Sequence, residues 1–206
     1  MPQAWFRRQD ESADEAFYAS PRLVAHIDQS TIDALTAFYT KFIPPGADVL
    51  DLMSSWISHL PEQLTPGRVA GLGMNADELA ANPRLDDWCV HNLNETPALP
   101  YPDQTFDRAL IAVSIQYLTQ PVEVMKSICA KLKPGGQICI AMSHRLFPTK
   151  AIAAFTQMPP RERINLVAHY LQSAGFEKVE FFDRSPERGD PLWLVTGVTT
   201  DEELSA

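Results

Sequence analysis

Residues 109–141 read ALIAVSIQYLTQPVEVMKSICAKLKPGGQICIA. The run Ala109–Val113 is short and apolar, the type of segment that forms a strand buried on both faces of a parallel sheet. Val122, Met125, Ile128, Cys129 and Leu132 then recur at helical spacing. Lys133-Pro134-Gly135-Gly136 closes that helix, with glycines where a left-handed cap is easiest. Gln137–Ala141 is another apolar strand. Strand, helix and strand in direct succession specify a right-handed crossover between parallel strands.

The alternation continues in both directions. Upstream, strands are predicted at Asp48–Leu52, at Arg68–Leu72 with a helical stretch through Leu79, and at Trp88–Val90. A Pro-punctuated loop, Pro97 to Asp103, leads on to Ala109. Ahead of them, Ile32, Leu35, Tyr39 and Phe42 mark an amphipathic helix behind a Ser/Thr cap, ended by Pro44-Pro45-Gly46. Downstream, Ile164, Val167, Ala168 and Leu171 mark a helix ending at Gly175. Val179 and Phe181 then alternate with Lys178 and Glu180 as in a half-exposed strand, and Leu192–Val195 is the last one. Only Arg184–Asp190 separates these two, which leaves no room for a parallel crossover and demands a hairpin. The expected fold is α/β: a Rossmann-like, doubly wound, seven-stranded sheet, mainly parallel with an antiparallel last strand. Ligands in such sheets bind beyond the strand C-termini.

Composition narrows the function classes. A chain of 206 residues builds one sizeable core, so a single domain over 1–206 is expected, with an arm or lid at 1–28 and a core at 29–206. The net charge of −9 argues against a broad phosphate-binding surface, so no nucleic-acid partner is expected. No apolar run approaches the roughly 20 residues that span a bilayer. The N-terminus is polar, with Trp5, Arg7 and Arg8, and the expected location is cytoplasmic, away from membranes. Cys89, Cys129 and Cys139 are too scattered for a disulfide framework, and the histidines show no metal-ligand spacing. A monomer or weak homodimer is expected. Trp5, Phe6, Phe17 and Tyr18 give the polar arm a few docking points, and residues 10–28 are read as a lid.

Leu99–Asp107, LPYPDQTFD, resembles the LPFxDxxFD segment that precedes the fourth strand of small-molecule methyltransferases. Leu132–Gly136, LKPGG, is similar to their turn before the fifth strand. The resemblance to the class I S-adenosylmethionine-dependent methyltransferase superfamily, of the type 11 kind, runs from about Val49 to Ala141. Residues 21–28, 54–61 and 147–151 resemble a subgroup carrying DLMSSWxSHLP in place of the glycine-rich loop. The resemblance implies a methyltransferase with S-adenosyl-L-methionine as cofactor and a small-molecule substrate. The alternative is a catalytically inactive binding or regulatory module on the same fold, motivated by two departures from the family pattern.

The first departure is the loop after the first strand, where the family has GxGxG and this chain has Met53-Ser54-Ser55-Trp56-Ile57 after Asp51-Leu52. Asp51 keeps the acidic position. Ser54 and Ser55 are small and offer hydroxyls, whereas Met53 and Trp56 either turn away or fill the ligand space; Trp56 is also read as a wall on the substrate side. The second departure is Gly73, at the position of the family's ribose-binding carboxylate, with Asn75 as a weaker substitute and Met74 against the adenine. Asn92, followed by Leu93, matches the adenine-binding acidic position, with Asn94 as the rival, and Val113 lies at the switch point of the sheet. For proton transfer the candidates are His144, His26 and His59, because a neutral imidazole accepts a proton near pH 7.

Overall fold

The computed structural model describes residues 1–200, so the domain expected over 1–206 extends past them at 201–206. Seven strands form one sheet: β1 (Asp48–Leu52), β2 (Arg68–Gly73), β3 (Asp87–Val90), β4 (Phe106–Ala112), β5 (Leu132–Met142), β6 (Glu177–Asp183) and β7 (Trp193–Val198). Their order is β3-β2-β1-β4-β5-β7-β6. The pairs among β1 to β5 are parallel, and β7 is antiparallel to both β5 and β6, as the short Arg184–Asp190 connection demands. The helices are α1 (Asp14–Tyr18), α2 (Gln29–Phe42), α3 (Ala76–Ala80), α4 (Pro121–Lys131), α5 (Ala153–Gln157) and α6 (Pro160–Ser173).

The apolar runs are unbroken because both faces of the central strands are covered. In β1, Val49 joins the cluster built with Leu35 and Tyr39 of α2, while Leu50 and Leu52 join the opposite cluster with Ile128 of α4 and Tyr170 of α6. Asp51 therefore shares the α2 face with Val49, at the C-terminal end of the strand.

Two boundaries differ from expectation. The N-cap of α2 is Asp28, not a Ser or Thr, and its carboxylate accepts from the Thr31 amide at 2.9 Å. Asp28 does more than cap, since it also accepts from the Asp190 amide and ties the helix to the loop between β6 and β7. The segment LKPGG lies within β5, not ahead of it. Leu132 is already extended and pairs with Phe106, and the register then slips before Arg108 meets Gln137. Gly135, at φ +70°, lies within that irregular stretch. Lys133 fastens it by reaching Asp48 at 3.2 Å and Asp107 at 2.9 Å.

The N-terminal arm is bonded to the core along its length. The Asp10 amide donates to the Thr149 carbonyl and the Ala153 amide to the Arg7 carbonyl, each at 2.8 Å. Lys150 is fully buried beneath the arm, its ammonium 2.7 Å from the Ser12 carbonyl and 3.3 Å from both Asp10 and Asp14. Arg8 meets Asp14 from the other side at 2.6 Å. No helix of the described residues is long and apolar enough to cross a membrane.

Candidate functional site

A cavity of about 360 Å³ opens at the C-terminal ends of β1 to β4 and is roofed by the arm from Asp14 to Ile27. Its size is within the range of small-molecule sites, roughly 300–1,000 Å³. All ten positions to which the sequence assigned cofactor contacts line it. Asp51, Met53, Ser54 and Ser55 form the wall after β1, and Gly73, Met74 and Asn75 the wall after β2. Asn92 and Leu93 follow β3, and Val113 follows β4.

The loop after β1 keeps a glycine-like path without glycine. Met53 has φ +54°, a left-handed conformation that costs an L-residue about 1–2 kcal/mol. Its side chain is half-buried against the core, and Trp56 is not part of the cavity wall. The Trp56 indole instead donates to the Val24 carbonyl of the arm at 3.1 Å. Thus neither bulky residue closes the pocket. On the far wall Val113 has φ +51°, rarer still for a β-branched residue.

Asp51 is 3% exposed and accepts from the Ser54 and Ser58 hydroxyls, both at 2.6 Å. Burial nevertheless dominates and pushes its carboxyl up to about 6, since two neutral donors stabilise the charge less than water does. Ser55 donates to Glu78 of α3 at 2.5 Å. With their protons directed at carboxylates, Ser54 and Ser55 retain acceptor capacity only, which suits an ammonium and not a carboxylate.

Gly73 has no room for a side chain, because an added Cβ would overlap the Ser54 carbonyl oxygen. The Asn75 amide is already engaged: it caps α3 through the Glu78 amide at 3.0 Å and donates to the Tyr18 carbonyl at 2.9 Å. Glu78, unremarked in the sequence, also lines the cavity and accepts from the Arg22 amide at 2.7 Å. Asn92 accepts from the Asn94 amide and donates to Glu15 of the arm, leaving its oxygen one further lone pair. Asn94 is a scaffold residue, bonded to Asp14, Tyr117 and Thr119.

The three histidine candidates separate. His144 is not in the cavity wall; it is half exposed and lies 3.0 Å from Asp190, a partner 46 residues away that local sequence does not announce. His26 and His59 both line the cavity. Burial lowers the pKa of His26, and burial together with the nearby His26 brings His59 down to about 4. Both are neutral near pH 7. The Nδ1 of His59, the Oγ of Ser114 and the Nη1 of Arg22 are buried without a hydrogen-bond partner, and all three residues line this cavity. Buried polar groups left open in this way mark a place built for a ligand or ordered water.

Residues 56–140 match the methyltransferase domain family. Among curated proteins, the chain is 28% identical over 116 residues to the demethylmenaquinone methyltransferase of Listeria welshimeri, covering 52% of this chain and 49% of that protein. It is 31% identical over 113 residues to that of Lactococcus lactis, covering 50% and 45%. The chain thus spans about half the length of the curated relatives it matches. Among solved structures, it resembles a S-adenosylmethionine-dependent methyltransferase of Mesorhizobium loti, with TM-score 0.55 and 18% identity, covering 81% of this chain and 99% of that one. The phosphoethanolamine N-methyltransferase 2 of Haemonchus contortus, solved with S-adenosyl-L-methionine, aligns with TM-score 0.60 and 14% identity, covering 82% and 52%.

Proposed function

We propose that the chain is a class I S-adenosylmethionine-dependent methyltransferase, in line with its methyltransferase-domain match and its methyltransferase relatives, and that it acts on a small molecule. The observation that carries this reading is Asp51, a buried carboxylate on the cavity wall with no ion-pair partner among the described residues. A carboxylate so placed needs a cation, and the ligand-borne ammonium of an amino acid supplies one.

The surrounding residues fit the same ligand. Ser54 and Ser55 present acceptor oxygens beside Asp51, Glu78 and the free lone pair of Asn92 provide further acceptors along the β2 and β3 wall, and Met74 offers a polarizable surface. The bound cofactor supplies an electrophilic methyl group. Tyr18, Tyr117, Phe147 and His26 make an aromatic wall of the same cavity, with Tyr117 and Phe147 stacked at 5.7 Å. Neutral His26 is the group that takes the acceptor proton, while the arm excludes water and fixes alignment. The curated relatives are named for demethylmenaquinone, a small molecule, which supports a small-molecule acceptor.

Calorimetry with S-adenosylhomocysteine tests the reading. The expected result is micromolar binding, with about 2.7 kcal/mol of added stability at 100 times the dissociation constant. The absence of both heat and thermal shift at millimolar ligand would overturn it in favour of a binding module that does not use the cofactor.

A further inference from the structure

Two cationic side chains other than histidine line the cavity, Arg22 and Arg145. Arg145 is neutralised by Asp190, 2.9 Å from its Nε. Arg22 has no such partner. Its Nη2 donates to the Phe17 carbonyl at 2.8 Å, its Nη1 is buried and bonded to nothing, and no carboxylate among the described residues lies within ion-pair distance. The guanidinium is held by aromatic faces, 4.5 Å from the centre of Phe17, 5.4 Å from Phe147 and 5.9 Å from Tyr18. Such contacts position a cation without neutralising it. Because His26 and His59 are neutral near pH 7, Arg22 is the unneutralised positive charge of this wall.

Arg22 bridges two sides of the cavity. The main chain of Arg22 is fixed at Glu78, after β2, but its guanidinium packs on Phe147, which follows β5 and in turn stacks on Tyr117, which follows β4. The charge therefore lies against the aromatic rings of Phe17, Tyr18 and Phe147, reaching from the β2 side toward the loops after β4 and β5. We infer that Arg22 is a specificity residue that binds an oxyanion, a carboxylate or a phosphate monoester, on the methyl acceptor. The inference rests on the proposed methyltransferase reading and narrows its substrate to anionic small molecules with an apolar body. A planar fork with an unused Nη1 is matched to such groups, whereas a neutral acceptor would leave the guanidinium without a counter-charge.

The test uses the full chain and its Arg22→Met and Arg22→Lys variants, with thermal midpoints as the folding control. S-adenosylhomocysteine affinity is measured first; benzoate and inorganic phosphate are then titrated by amide chemical shifts into free and cofactor-product-loaded protein. The expected result is anion binding to the wild-type cavity, weakened at least tenfold in Arg22→Met and partly kept in Arg22→Lys, with S-adenosylhomocysteine affinity within twofold of wild type in all three. A tenfold loss of S-adenosylhomocysteine affinity in Arg22→Met would overturn the inference by assigning the guanidinium to the methionyl carboxylate. Normal S-adenosylhomocysteine binding without anion binding would overturn it as well. Anion binding that depends on Arg22, in a protein that ignores S-adenosylhomocysteine, would uphold the oxyanion site and instead refute the methyltransferase reading.

Discussion

Replacing Asp51 with Asn removes a charge and keeps the shape. The asparagine Oδ1 still accepts from Ser54 and Ser58, so the hydroxyl network around it survives. In the folded protein burial raises the carboxyl from 3.8 to about 6, and each pKa unit corresponds to about 1.4 kcal/mol. The sign follows from linkage. A raised carboxyl pKa favours the protonated form in the folded state, so below about pH 4 the carboxyl is neutral folded or unfolded and carries no penalty. Between pH 4 and 6 the unfolded chain ionises first and stability declines, and above pH 6 the deficit is constant at about 3 kcal/mol. Asp51→Asn is therefore expected to match wild type at pH 4 and to exceed it by about 3 kcal/mol at pH 7.5, read from urea unfolding. The same variant should lose S-adenosylhomocysteine affinity at least tenfold, since a charge-assisted contact contributes about 1.5–3 kcal/mol. A stability difference that is the same at both pH values, or a variant weaker than wild type at pH 7.5, would show that the buried charge is not what costs stability.

Restoring the family carboxylate with Gly73→Asp is expected to destabilise the fold by about 1–3 kcal/mol and not to tighten cofactor binding, because its Cβ meets the Ser54 carbonyl; thermal melts and calorimetry check both. Met53→Gly should be about 1 kcal/mol more stable than Met53→Ala, the reverse of the usual order, because φ is +54° there. Chemical denaturation of the pair decides whether the left-handed path is real. Lys150→Met should cost about 2–3 kcal/mol, less than the full penalty for breaking a buried pair since Arg8 still faces Asp14. Limited proteolysis should then cut the arm between residues 1 and 28 faster than in wild type, and an unchanged rate would discount Lys150 as its anchor.

The succession of strands and the antiparallel ending were legible because each apolar run is bounded by turn chemistry and because a seven-residue connection excludes a crossover before β7. The start of β5 was not legible, since a Pro-Gly-Gly sequence reads equally as a helix stop and as a bulged strand, and pairing with Phe106 decides between them. At the site, residues adjacent to strand ends were found because topology gathers strand ends. Of those contributed by the arm, His26 was named and Arg22 was not. Arg22 and Glu78 meet across 56 residues with no local pattern, and Arg22 became informative only when its guanidinium proved to lack a counter-charge. His144 looked attractive for the opposite reason: it follows a strand end, but it lies outside the cavity wall and against Asp190.

The roof over the cavity also bears on timing. The arm forms part of the cavity wall through the contacts of Asn75 with Tyr18, of Asn92 with Glu15 and of Trp56 with Val24, and if it works as a lid these contacts part before a ligand enters. Binding then divides into a concentration-independent opening and a bimolecular capture, and the observed association rate levels off at the opening rate as ligand is raised. The closed arm likewise reduces apparent affinity by the fraction of molecules that are open. An arm working in this way would insulate the site from water and pace the release of product.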